Sequence, residues 1–79
     1  MKLRAEYDRE ADAVYVRLSE QPYAYGKDVD DARRVDYAAD GTPVGVELLY
    51  VSQGVELDDL PRADELADAL KDHGIRQFA

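Results

Sequence analysis

The sequence contains no cysteine, no tryptophan and a single histidine, His73. Without cysteine there is no disulfide, and without a Cys/His cluster there is no structural zinc, so two common staples of small folds are excluded. No apolar run approaches the ~18 residues that cross a bilayer. The opening "MKLRAEYD" has basic side chains but no apolar stretch behind them. That is not the pattern of a secretory leader, and a cytoplasmic location is expected. Glycine is sparse, and Gly41, Gly45 and Gly54 form no phosphate-cradling motif. Positive charge is also short, with 10 Lys+Arg against 18 Asp+Glu and a net charge of −8. No basic face can be assembled to neutralise phosphates, so nucleic acid is excluded as a partner, and an anionic membrane would repel the chain. A basic protein would be steered towards it, although plain solubility is the simpler reading of the same charge.

The 79 residues suffice for one domain, near the lower limit of what folds alone. Hydrophobic residues make up 46% of the chain, with six tyrosines and one phenylalanine, which argues against disorder. With disulfide and zinc excluded, self-association is the remaining common source of stability, and a homo-oligomer, most simply a dimer, is expected.

The chain holds an internal repeat. "LRAEYDREADAVYVRL" (3–18) aligns without a gap on "RRVDYAADGTPVGVEL" (33–48) at an offset of 30 residues. Arg4/Arg34, Tyr7/Tyr37, Val14/Val44, Val16/Val46 and Leu18/Leu48 are identical, and Glu6/Asp36 keep their charge. Each copy reads as a β-hairpin from its period-2 alternation. Leu3, Ala5 and Tyr7 share one strand face, opposite Lys2, Arg4 and Glu6. Val14, Val16 and Leu18 share another, as do Val35 with Tyr37 and Val44, Val46 and Leu48. Asp40-Gly41 supplies a turn, and Pro43, lacking an amide hydrogen, belongs at a strand start.

One apolar and one charged face imply a sheet covered on a single side. The cover comes last, where Ala63, Leu66, Ala67 and Leu70 fall at helical spacing after Leu60. Pro61 suits the first turn, Asp58 or Asp59 would cap it, and Gly74 would take the left-handed stop. Ile75 and Phe78 are expected to pack back on the core. The fold class is α+β: a four-stranded, mostly antiparallel sheet of two repeated hairpins, one face covered by a C-terminal helix. The expected layout of 1–79 as one domain is hairpin 2–19, loop 20–32, hairpin 33–50 and helix at about 60–73. The loop is long for a hairpin link and has room for a short strand near Lys27–Asp30.

These residues resemble the YuzE-like family of small bacterial proteins, whose function is unknown. The resemblance is carried by Tyr7-Asp8, Glu10-Ala11-Asp12-Ala13, Tyr15, Leu18-Ser19, Asp36, Asp40-Gly41 and Val44-Gly45-Val46-Glu47, and covers 3–50. Pro43 departs from the usual pattern. The resemblance implies a fold and a bacterial type of source, and no catalytic residues are transferred by it. Some relatives are encoded beside small toxin-like proteins, so it also implies an antitoxin-like role by association.

Few residues look like chemistry. Asp8, Glu10 and Asp12 echo the start of a calcium loop, but Ala13 stands where the sharp turn needs glycine and Ser19 where a bidentate glutamate belongs. A solvated turn, with Asp side chains on nearby amides, is the preferred reading. Asp28–Asp31 is an acidic loop with nothing visible to close a cage. His73 suits a helix C-terminus. Asp36 and Glu47 would need a shared pocket to act as paired carboxylates. No cofactor and no metal are expected, and acyl transfer, phosphoryl transfer and redox chemistry lack their usual parts.

Surface recognition fits better. The candidate interaction residues are Tyr23 and Tyr25, alternating tyrosines in a Pro/Gly-bounded loop, with Tyr15, Arg17, Asp36 and Glu47 on the charged sheet face. Gly45 beside Glu47 leaves room for a backbone or ligand to approach. The tyrosines could equally form a lid over the core, and the charged mosaic could be ordinary cross-strand pairing on a wet face. The sequence therefore supports a small interaction protein that binds a basic protein. A self-associating structural domain comes next, then a small-ligand or metal-dependent enzyme.

Overall fold

The computed structural model describes residues 3–78. The expected hairpin start at Lys2 lies outside them. Strands β1 (Arg4–Asp8) and β2 (Ala13–Arg17) form the first hairpin, and β4 (Arg33–Tyr37) and β5 (Pro43–Leu49) the second. The expected count of four strands falls one short. Tyr25–Asp28 in the linking segment forms β3, antiparallel to β4, and the sheet has five strands in the order β1-β2-β5-β4-β3. "YGKD" has neither apolar alternation nor strong β propensity, so pairing with β4 makes it a strand.

The repeat has a geometric meaning. Val16 and Val46, equivalent at the offset of 30 residues, are directly opposite each other where β2 meets β5. On either side the pairing repeats, Ala5 with Val16 and Val35 with Val46. A local two-fold axis therefore passes through the sheet at the Val16/Val46 pair. It is broken at the second turn, where a bulge between Asp36 and Tyr37 sets Tyr37 opposite Pro43.

One face of the sheet is the core. Val14, Val16, Val35, Val46 and Leu48 cluster there with Leu66, Ala69 and Leu70 of α1 (Ala63–Asp72). Burying each such aliphatic side chain is worth about 1.5–3 kcal/mol relative to leaving it in water. Val44 is buried too, outside the main cluster, while Ala5, Tyr7 and Tyr37 are partly buried against it. On the helix, Ala69 rather than Ala67 completes the buried stripe.

The helix ends are uneven. Neither Asp58 nor Asp59 caps the start; Arg62 occupies that position in the left-handed region, φ 54°, without a side-chain cap, so Pro61 precedes the helix. Arg62 instead clasps Glu65 through two 2.8 Å bonds and donates to the Leu18 carbonyl at 2.6 Å, fixing the helix to the end of β2. At the far end Gly74 adopts φ 71°, and the amides of Gly74 and Ile75 return to the carbonyls of Lys71 and Leu70. That is the Schellman closure glycine allows. Ile75 is buried as expected, but Phe78 is 55% exposed, in a two-residue parallel pairing of β6 (Val55–Glu56) with β7 (Gln77–Phe78). Its ring covers Gly54, where a Cβ would come within 2.8 Å of it. Among the described residues no helix is long and apolar enough to cross a membrane.

Candidate functional site

The face away from α1 carries Tyr15, Arg17, Asp36 and Glu47, and the strand register arranges them in rows. One row reads Arg4, Arg17, Gly45, Asp36, Gly26 from β1 to β3, and the next Glu6, Tyr15, Glu47, Arg34, Asp28. Two glycines in the first row let side chains of the second lie flat. Tyr15 leans over Gly45, where a Cβ would collide with its hydroxyl, and donates to Asp36 Oδ2 at 3.1 Å. Arg34 lies over Gly26 and donates from Nε to Asp36 Oδ1 at 3.3 Å, from Nη1 to Asp28 at 3.5 Å and from Nη2 to the Tyr23 hydroxyl at 3.3 Å. The room that Gly45 suggested for a ligand is thus filled by the chain's own Tyr15.

Both Asp36 oxygens are committed, one to a phenol and one to a guanidinium. Burial, and then the negative charge of Asp36, push the Tyr15 phenol above its ordinary pKa, so it remains a neutral donor. The hydrogen bond from Arg34 to Tyr23, followed by that to Asp36, holds the guanidinium even more firmly protonated.

The structure therefore links Tyr15 to Tyr23 through Asp36 and Arg34, the latter a residue of the same charged face. Arg17 stands outside this network, donating to the carbonyls of Ser19 at 2.6 Å and Gln21 at 3.5 Å. Tyr25 sits with Tyr37 on the core side, their rings stacked 5.3 Å apart. Glu47 is exposed between Tyr15 and Arg34. It lines a cavity of about 460 Å³ with Asp28, Asp30, Asp31 and Arg34, and Asp36 is not part of that wall. The two carboxylates share no pocket.

The turn after β1 is engaged structurally. The Asp8 carboxylate accepts from the Ala11 amide at 3.2 Å. Asp12, at φ 54°, accepts from the amide and hydroxyl of Ser52 at 2.8 and 2.6 Å and ties the turn to the short 3-10 segment after β5. No signal in the local sequence marks this contact, because its partners are 40 residues apart. Among the described residues no three His, Cys, Asp or Glu side chains gather as a metal site. His73, at the helix C-terminus, packs edge-on against Tyr7 with ring centres 6.1 Å apart.

Residues 4–52 match a family described as "Protein of unknown function (DUF2283)". The match spans all five strands of the main sheet, while β6, α1 and β7 lie beyond it. No curated protein and no solved structure matches the chain.

Proposed function

The chain belongs to the DUF2283 family, and from its geometry we propose that it is a protein-interaction module which binds a basic protein along β3 and the acidic loop that follows. One observation carries this reading: Tyr25 on the edge strand and Tyr23 and Val29 just before and after it, 42, 57 and 39% exposed, lie close in sequence to Asp28, Asp30 and Asp31. Aromatic rings beside carboxylates suit a partner that is apolar at its centre and basic at its rim. The local charges are only partly balanced. Arg33 holds Asp30 at 2.8 Å and Arg34 holds Asp28 and Asp36, while Asp31 and Glu47 have no cationic partner among the described residues.

The motif resemblance to YuzE-like proteins belongs to the same reading, with a bacterial cytoplasm as the setting and an antitoxin-like role as its most specific form. A second reading, self-association, is favoured by the open outer edge of β3, since an unpaired strand edge can pair with a copy of itself. Capture by the tagged chain from native lysate at low and high salt, with mass spectrometry of what is bound, separates the two. A small basic protein held at low salt and released at high salt supports the first. Further copies of the chain alone favour the second.

A further inference from the structure

The local two-fold axis exposes an asymmetry. Strand β3 lies on the outer side of β4, but among the described residues no strand pairs with the outer side of β1, the equivalent strand. We propose that the outer edge of β1 is a second docking site, and that it receives an extended strand of another protein carrying a carboxylate opposite Arg4.

Backbone alternation leaves the right groups open. The Leu18 amide donates to the Val44 carbonyl at 2.9 Å, so even-numbered residues of β2 bond towards β5 and odd-numbered ones towards β1. Opposite those odd residues stand Arg4, Glu6 and Asp8. The N–H and C=O groups of Ala5 and Tyr7 therefore face the open edge. In the other half the equivalents of these residues, Val35 and Tyr37, meet β3, as the bond from the Ala24 amide to the Tyr37 carbonyl, 2.8 Å, shows.

Side chains repeat the correspondence. "RAEY" at 4–7 stands where "RVDY" stands at 34–37. Against "RVDY", β3 places Asp28 on Arg34, Gly26 beneath the Arg34 guanidinium and Tyr25 stacked on Tyr37. Arg4 has no carboxylate partner among the described residues, in a chain with an excess of carboxylates. It also stands directly opposite Arg17, a like-charged neighbour that disfavours the unliganded face. Arg4, Glu6, Tyr15 and Arg17 line a cavity of about 180 Å³, room for one carboxylate group and little more. The chain's net negative charge does not forbid this, because distant exposed charges are screened within about 8 Å at physiological salt.

A second copy cannot donate its own β3 cheaply. The turn 29–32 ties β3 to β4, and the Val29 amide bonds the Arg33 carbonyl at 2.8 Å. The occupant the repeat suggests is an external strand, bound by main-chain pairing with one charged selector, as Asp28 of β3 serves Arg34. This site is separate from the β3 surface proposed above and does not depend on it.

The test uses a synthetic peptide of the chain's own residues 23–30, "YAYGKDVD", titrated into the isotope-labelled full chain at constant ionic strength and followed by amide NMR. The expected result is saturable shifts at Ala5 and Tyr7. The variant Arg4→Gln, or Asp28→Asn in the peptide, weakens binding on the order of threefold. Lys27→Pro in the peptide, which removes a pairing amide, abolishes it. The proposal is overturned if the shifts fall on β4, if no saturation is reached, or if Arg4→Gln leaves the affinity unchanged. It is overturned as well if the Ala5 and Tyr7 amides move with the chain's own concentration, which would make the edge a self-contact.

Discussion

Tyr15 and Asp36 belong to strands that are not neighbours, yet their side chains meet, bridging β5 over Gly45 with a hydroxyl-to-carboxylate bond of 3.1 Å. The bridge depends on the missing Cβ. Gly45→Ala must displace the Tyr15 ring and release Asp36, with an expected loss of about 1–3 kcal/mol. In a Tyr15→Ala background the same change should be neutral or slightly stabilising, since alanine constrains the unfolded chain more than glycine. Urea melts of the four proteins give the coupling. Additive effects would show that the ring and the glycine do not interact in solution.

The same bridge sets a pH dependence. Folding raises the Tyr15 pKa, so its contribution is complete below the ordinary tyrosine value of 10.0 and vanishes as pH rises through the folded value. Between pH 9 and 11, wild type should lose stability more steeply than Tyr15→Phe. Parallel curves would place Tyr15 in open water.

Much of this was legible beforehand, because the hairpins are written in strict alternation. Val14, Val16, Val35, Val46 and Leu48 are buried as their spacing requires, and the Gly74 stop is where a left-handed residue is needed. What escaped was non-local. Strand β3 forms only because β4 offers it an edge, the Arg34–Gly26 stacking requires knowing that pairing, and Arg62 starts the helix through the Leu18 carbonyl rather than a local cap. Of the candidate residues, the hydrogen bonds link Tyr15, Asp36 and Tyr23, whereas Arg17 bonds the carbonyls of Ser19 and Gln21 and Tyr25 stacks on Tyr37, contacts that alternation alone does not specify.

Val16 and Val46 are both fully buried and face each other on the axis. Aspartate at either places an unpaired charge in the core, a penalty comparable to the ~4–12 kcal/mol that stabilises a domain of this size. Circular dichroism should show an unfolded chain. A variant melting like wild type would invert the assignment of the two sheet faces.

Asp12 has both carboxylate oxygens on Ser52. Millimolar calcium should therefore leave the melting temperature unchanged, while Asp12→Ala should cost about 1–3 kcal/mol, combining lost hydrogen bonds with strain at a positive φ. A rise in melting temperature with calcium, by preferential binding to the folded chain, would return the turn to the cation-loop reading.

On the proposed reading, β3 and its acidic loop form the contact surface for a basic protein. The most direct measurement is capture from native lysate by wild type and by the double variant Tyr23→Ser/Asp31→Asn, side by side at low salt, after showing that both melt at the same temperature. Wild type is expected to retain a small basic protein and the variant to lose it. Equal recovery by the two chains would contradict this reading, as would an acidic partner or none.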